Sequence, residues 1–183
     1  EKLMTQSTAL RNGWAWRIPL TSRVGNGYVY SSKYCSAEQA EQELRAHLGV
    51  NDSVAARHLK MKVGRLEQHW YKNCLAVGLS QGFIEPLEST GLHLINLGAR
   101  LLGTHLGAAE INQSVRDSYN RAMDGFYQDL KQFIVLHYCL TDRDDTEFWR
   151  EAAQKAKYCA GLPEQLAAWR YKVCEYMDLA GTF

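Results

Sequence analysis

Apolar spacing changes period near residue 87, which limits the chain to folds where a strand-rich portion is followed by a helical one. Before that point the segments are short and alternate. Trp14–Leu20 carries β-formers at every second position and is expected to be a strand, with Pro19 limiting its pairing. Gly25-Asn26-Gly27 is expected as a turn because all three residues tolerate positive φ, and Tyr28–Ser32 as the strand that follows. Ser36 opens a helix with a capping box: its hydroxyl accepts from the third helical N–H while Gln39 reaches back. Ala37, Ala40, Leu44 and Leu48 form the apolar stripe of that helix, and Gly49 ends it. His58–Val63 alternates again, with Leu59, Met61 and Val63 on one face, and Gly64 begins a turn. Trp70–Val77 is expected as a last strand, covered on both faces at its apolar end.

From Leu87 onward the pattern is helical. The spacing predicts helices over about Glu88–Leu102, Ser114–Tyr138, Thr146–Tyr158 and Pro163–Met177, the last with Pro163 near its first turn. In the second, Val115, Tyr119, Ala122, Phe126, Leu130, Phe133 and His137 recur on one side. The expected class is therefore mixed α/β, with residues 1–86 strand-rich and 87–183 helical. The opening strands have no evident partners and no βαβ start precedes them, so the chain is expected to begin inside a larger protein.

Composition narrows the function. Of 183 residues, 46% are hydrophobic and 22% charged, as in a globular protein. Basic and acidic side chains balance at 21 to 20, which gives no electrostatic reason to expect nucleic acid. No apolar run approaches the roughly 20 residues of a membrane span, and Glu1–Thr5 lacks a signal-peptide core, so a cytoplasmic location is expected. Five cysteines without a CxxC pair are expected to be reduced, and six scattered histidines suggest no metal site.

The stretch from Leu75 to Leu92 reads as a strand, a glycine-bearing turn and a helix start. The first N–H groups of a helix lack internal partners and carry the positive end of its dipole, so Ser89, Thr90 and Gly91 can form an anion site. Glu88 would be partly stabilised there as a carboxylate. Ordinary capping accounts for the same residue types, and on spacing alone it is the favoured reading.

Three stretches resemble the flavin-dependent halogenases, and among them the tryptophan halogenases. Gly13-Trp14-Ala15-Trp16-Arg17-Ile18-Pro19 is similar to that family's GWxWxIP motif. Gly27–Ser32 is similar to the strand after it, and Lys72-Asn73-Cys74 through Gly91, with Glu85-Pro86-Leu87-Glu88-Ser89-Thr90-Gly91 at its end, to its most specific block. A weaker fourth match joins His137-Tyr138, Thr141–Asp145 and Phe148-Trp149.

The resemblance implies an FAD-dependent, monooxygenase-like fold and a specific chemistry. Reduced FAD from a separate flavin reductase reacts with oxygen, chloride or bromide is oxidised to hypohalous acid, and a small aromatic such as tryptophan or indole is halogenated. It implies that Glu88 is the catalytic carboxylate facing the substrate, and that Ser89 stands between flavin and the family's lysine. Thr90 and Gly91 would hold halide through their N–H groups, and Leu79 and Leu92 would contact FAD. Trp14 and Trp16, with Ile18 and Pro19 of the same motif, would line the internal route, although core packing would also explain two tryptophans at period two. Two family features have no counterpart here: the GxGxxG phosphate loop and the catalytic lysine, for which Lys33, Lys60 and Lys72 lie in unmatched surroundings. A homodimer is left open. The alternatives are a halogenase or flavin monooxygenase acting on a phenol or pyrrole, and a non-catalytic helical interaction module built on Ser114–Tyr138, which would leave residues 72–91 unexplained.

Overall fold

The computed structural model describes residues 3–175. Its strands are β1 (Gln6–Leu10), β2 (Gly13–Pro19), β3 (Val24–Tyr30), β4 (Gly64–Arg65), β5 (Trp70–Tyr71), β6 (Cys74–Leu75) and β7 (Gly82–Phe83). Its α-helices are α1 (Ala37–Leu48), α2 (Thr90–Leu106), α3 (Gln113–Cys139), α4 (Glu147–Ala152) and α5 (Leu162–Ala168). The content is mixed α/β, with short strands and mostly helix. Contacts divide the chain into two compact units, neither contiguous: residues 1–60 with 138–155, and residues 61–137 with 156–183. The strand-rich and helical portions on either side of residue 87 concerned secondary-structure content and do not describe these units. No helix among the described residues is long and apolar enough to cross a membrane.

The first unit is built on an antiparallel meander in the order β1-β2-β3. This corrects two expectations. The opening strands do have partners, because Gln6–Leu10, which shows little alternation, pairs along β2. Gly25-Asn26-Gly27 is not a turn: it lies inside β3, and the chain instead reverses at 20–23, where the Leu20 N–H donates to the Arg23 carbonyl (2.8 Å). The glycines are there for space. Gly27 faces Trp16 across the ladder, and a Cβ at Gly27 would lie 2.3 Å from the indole ring. A large ring laid over a strand glycine covers the backbone that the glycine leaves bare. The strand expected over Tyr28–Ser32 accordingly starts earlier and ends at Tyr30.

Ser36 and Gln39 form the expected capping box, and Gly49 closes α1 in the left-handed conformation at φ 66°. Glu43 on α1 accepts from the Arg11 N–H (2.8 Å) and the Tyr28 hydroxyl (2.9 Å), tying the helix to the sheet. Arg143 supplies a second tie. Its guanidinium forks onto Asp145 (2.7 and 2.9 Å), donates to the Ala9 carbonyl (2.8 Å) and lies 5.1 Å over the Trp149 ring. The Trp149 indole N–H in turn reaches the Leu10 carbonyl at 2.7 Å. Lys33, Tyr34 and Lys155 converge on Glu151, and these hydrogen bonds, that from Lys33 first, hold its carboxyl down to about 2. The helix expected over Thr146–Tyr158 is split, α4 being followed by a 3-10 turn at Lys155–Tyr158.

In the second unit α3 forms over the expected stretch, but its buried face is turned from the expected one: Tyr119 and Leu130 are buried, Val115, Ala122, Phe126 and Phe133 only partly so, and His137 is exposed. Its face places Tyr119, Met123, Tyr127 and Leu130 in a core with Trp70 and Leu94, and a smaller cluster joins Leu136, Cys159 and Leu162. The two expected strands in this unit fail for different reasons. Residues 58–63 alternate correctly but have no ladder partner among the described residues, and Leu59, Met61 and Val63 are exposed. Trp70–Val77 folds as the hairpin β5-β6, not a central strand, because Lys72 turns the chain at φ 53°. The helix expected from Glu88 begins at Thr90 and continues to Leu106. The helix expected over Pro163–Met177 starts at Leu162 and ends at Ala168, and Met177 lies outside the described residues.

Candidate functional site

The step into α2 departs from ordinary helix starts. Pro86 holds a near-helical φ of −76°, and Leu87 is buried beneath the turn. Glu88 and Ser89 then both adopt left-handed backbone, at φ 56°, ψ 22° and φ 56°, ψ 28°, before Thr90 returns to the helical region. Side chains clash with the following carbonyl in that region, so each residue stores on the order of 1–3 kcal/mol. Two adjacent non-glycine residues there are rarely tolerated without compensation. Thr90 supplies part of it: at 2% exposure, its hydroxyl donates to the Glu85 carbonyl (3.0 Å) and its N–H to that of Leu87. The strain predicts an inversion of the usual order of substitutions. Ser89→Gly should hold or raise the melting temperature, while β-branched Ser89→Val should lower stability by roughly 1–2 kcal/mol, both read by thermal unfolding.

The strained pair also decides what the helix start offers. Ser89 occupies the N-cap position but its side chain makes no capping bond, so the capping reading of Ser89 is not what the structure contains. Thr90 and Gly91 are the first helical residues, and a Cβ at Gly91 would meet nothing within 4 Å. The space beside Gly91 is open. Because the Thr90 N–H already bonds Leu87, an anion here would rest on the next amides and share that of Thr90 in a three-centre bond. Glu88 and Ser89 are exposed on the same step.

Beside this start, a 3-10 turn at Gly78–Ser80 packs on α2. Gly78 takes φ 61°, and a Cβ there would touch the Ile95 side chain at 3.6 Å. The turn presents Leu79 at 81% exposure, and the first turn of α2 presents Leu92 at 72%. With Val77 and Ile95, also exposed, they leave apolar surface next to the open amides. Leu79 and Leu92 are the residues here that could contact the face of a flat aromatic cofactor.

The remaining motif residues belong to the first unit. Trp14, Trp16 and Ile18 alternate on β2, and Pro19 ends it opposite Val24. Trp14 is 6% exposed, and its indole N–H is buried without a partner. Trp16 is half-buried over the β3 glycines, and Ile18 is exposed. Leu79, Glu88, Ser89, Thr90, Gly91 and Leu92 are brought together in the second unit. Sequence reasoning missed the cluster of Arg65, His69 and Asp124 in the same unit, because Asp124 lies 59 and 55 residues from its two partners and no spacing rule joins them.

The tryptophan halogenase family profile matches residues 2–179. The chain is 41% identical over 170 residues to tryptophan 6-halogenase SttH of Streptomyces toxytricini, covering 92% of this chain and 32% of that protein. The crystal structure of SttH superposes with a TM-score of 0.85 at 39% identity, over 95% of this chain and 34% of SttH. A tryptophan halogenase from Shewanella frigidimarina superposes at 0.88 with 34% identity, over 95% of this chain and 34% of that one. Tar14, a tryptophan C-6 flavin-dependent halogenase from taromycin biosynthesis, does so at 0.85 with 38% identity, over 95% and 35%. The chain thus spans about a third of the length of the relatives it matches. With both the sheet that carries Trp14 and Trp16 and the strained step at Glu88 inside the matched range, this chain belongs to the tryptophan halogenase family.

Proposed function

We propose that this chain forms part of a flavin-dependent halogenase that uses FADH2, oxygen and chloride or bromide to halogenate an aromatic, indole-containing substrate through hypohalous acid. The observation that carries the reading is the strained Glu88–Ser89 step, which exposes a carboxylate beside open helix amides and apolar surface. Strained backbone of this kind clusters at active sites and ligand clamps.

When bound, reduced FAD with oxygen supplies the two-electron oxidation of halide. The residues of this chain do the rest by position. Leu79 and Leu92 offer the flavin ring an apolar face, and Gly91, with the shared N–H of Thr90, holds the halide by the helix dipole. Ser89 lies between that point and Glu88. The Glu88 carboxylate stabilises the positive charge that develops on the ring carbon under electrophilic attack, and accepts the proton that leaves it. In the first unit, Trp14 and Trp16, with Ile18 and Pro19 of the same motif, would line the oxidant's route and keep substrate off the flavin. A flavin reductase is the expected source of FADH2, and the cytoplasm the expected location.

The test is product formation by the protein that contains this chain, supplied with FAD, a flavin reductase, NADH, oxygen, a halide and tryptophan. The expected product shows the paired isotope masses of chlorine or bromine and disappears when halide is withheld. Halogenation of a phenol or pyrrole but not of tryptophan or indole would reassign the substrate. No halogenated product from any of these aromatics would overturn the reading.

A further inference from the structure

Arg65, His69 and Asp124 form a polar cluster that none of the roles above uses. The Arg65 guanidinium pairs with Asp124 Oδ1, and His69 Nε2 lies 3.3 Å from the same oxygen. His69 is 1% exposed, and its ring stacks on Tyr127 with centroids 5.4 Å apart. Burial pushes the imidazole below its usual range, which keeps it neutral, with Asp124 opposing in part. A carboxylate can only accept, so Nε2 carries the proton, and Nδ1 is left buried without a partner.

The Arg65–Asp124 ion pair joins one face of α3 to the β4–β7 ladder. Arg65 is half of the ladder that pairs Gly64 with Phe83 and Arg65 with Gly82, and the Leu66 N–H extends it to the Gln81 carbonyl (3.0 Å). His69 lies on the other approach, its backbone carbonyl accepting from the Ala76 N–H at 2.9 Å. One turn along α3 from Asp124, Asn120 clamps Trp70 through both its N–H (2.8 Å) and its carbonyl (3.0 Å). Tyr127 closes the same face: a Cβ at Gly82 would lie 2.7 Å from its hydroxyl. One face of α3 therefore grips the chain on both sides of the Gly78–Ser80 turn, and the strained step at Glu88 lies only five residues past β7. A ladder of two residue pairs is too short to hold such a step alone.

We propose that Asp124 is a positioning residue: through Arg65 and His69 it anchors the β4–β7 ladder and thereby holds Glu88 and Ser89 in their left-handed conformation. Its catalytic consequence rests on the halogenase reading above, but its structural consequence does not. The test uses the protein that contains this chain, with Asp124→Asn, which keeps the shape and loses the charge, and His69→Gln as the second variant. Amide hydrogen exchange is read over residues 82–90 and over the core of α3 around Leu130, beside the kinetics of halogenation. Both variants should speed exchange at 82–90 by at least about tenfold, with α3 exchanging as in the parent. Both should lower kcat by at least about tenfold with KM within about twofold, since misplacement acts on the reacting geometry. Unchanged exchange at 82–90, equal loosening of the whole unit, or local loosening with unchanged kcat would each overturn the proposal. If the parent forms no halogenated product, the functional reading falls, while the exchange pattern still decides whether Asp124 holds the step.

Discussion

Replacing Glu88 by Gln in the protein that contains this chain is expected to lower kcat for halogenation by roughly 100–1,000-fold, with substrate binding and folding little changed. The size follows from what the amide loses. Gln cannot take the leaving proton, and its dipole stabilises the cationic ring far less than a full negative charge does; general-base and electrostatic contributions of this kind are each worth about 10²–10⁴ and 10²–10³. The substitution is nearly isosteric, and Glu88 is exposed and left-handed in backbone, a conformation Gln adopts at similar cost. Unfolding curves should therefore overlay those of the parent. Steady-state rates by product mass spectrometry, alongside circular dichroism melts, check both halves. A variant that halogenates at the parent rate would remove Glu88 from catalysis, and one that fails to fold would make the step at 88–89 structural.

Tyr119→Ala is expected to be the most disruptive single change to the fold, costing about 3–5 kcal/mol, the range for removing a fully buried ring. Tyr119 has 0% exposure at the centre of the second unit's core. Its ring meets Trp70 edge-on at 5.6 Å and His105 edge-on at 5.7 Å, so one residue joins the β5-β6 hairpin, α2 and α3. Its hydroxyl stands 3.3 Å from where a Cβ on Gly98 would be, so the cavity cannot close by a neighbouring side chain moving in. Tyr119→Phe keeps those ring contacts and should cost no more than about 1.5 kcal/mol, because the hydroxyl's bond to the Gly98 carbonyl is long at 3.5 Å. Denaturant unfolding of the two variants measures the difference directly. Similar losses for both would place the stability in the hydroxyl, not in the ring.

The amino-acid sequence alone determined the features that depend on neighbours a few residues apart. The cap at Ser36 and Gln39, the stop at Gly49 and the extent of α3 follow from helical spacing and local hydrogen bonds, and they stand where expected, whereas which face of α3 is buried was set by its tertiary neighbours. The words around Trp14–Pro19 and Glu85–Gly91 also sufficed to place the chain in its family. Pairing across the chain was not legible. Residues 58–63 have the alternation of a strand and no ladder, while Gln6–Leu10 has little alternation and a full one, because a strand exists only where a partner supplies its hydrogen bonds. Gly25 and Gly27 looked like a turn because glycine permits positive φ, yet they serve as the floor for Trp16, a role that only the register of β2 on β3 creates. The same holds at the candidate site. That Glu88 and Ser89 lie at a helix start was readable, but their left-handed backbone was not: local preference opposes it, and it persists because Leu87, Thr90 and the Asp124 face of α3 hold the chain from both sides.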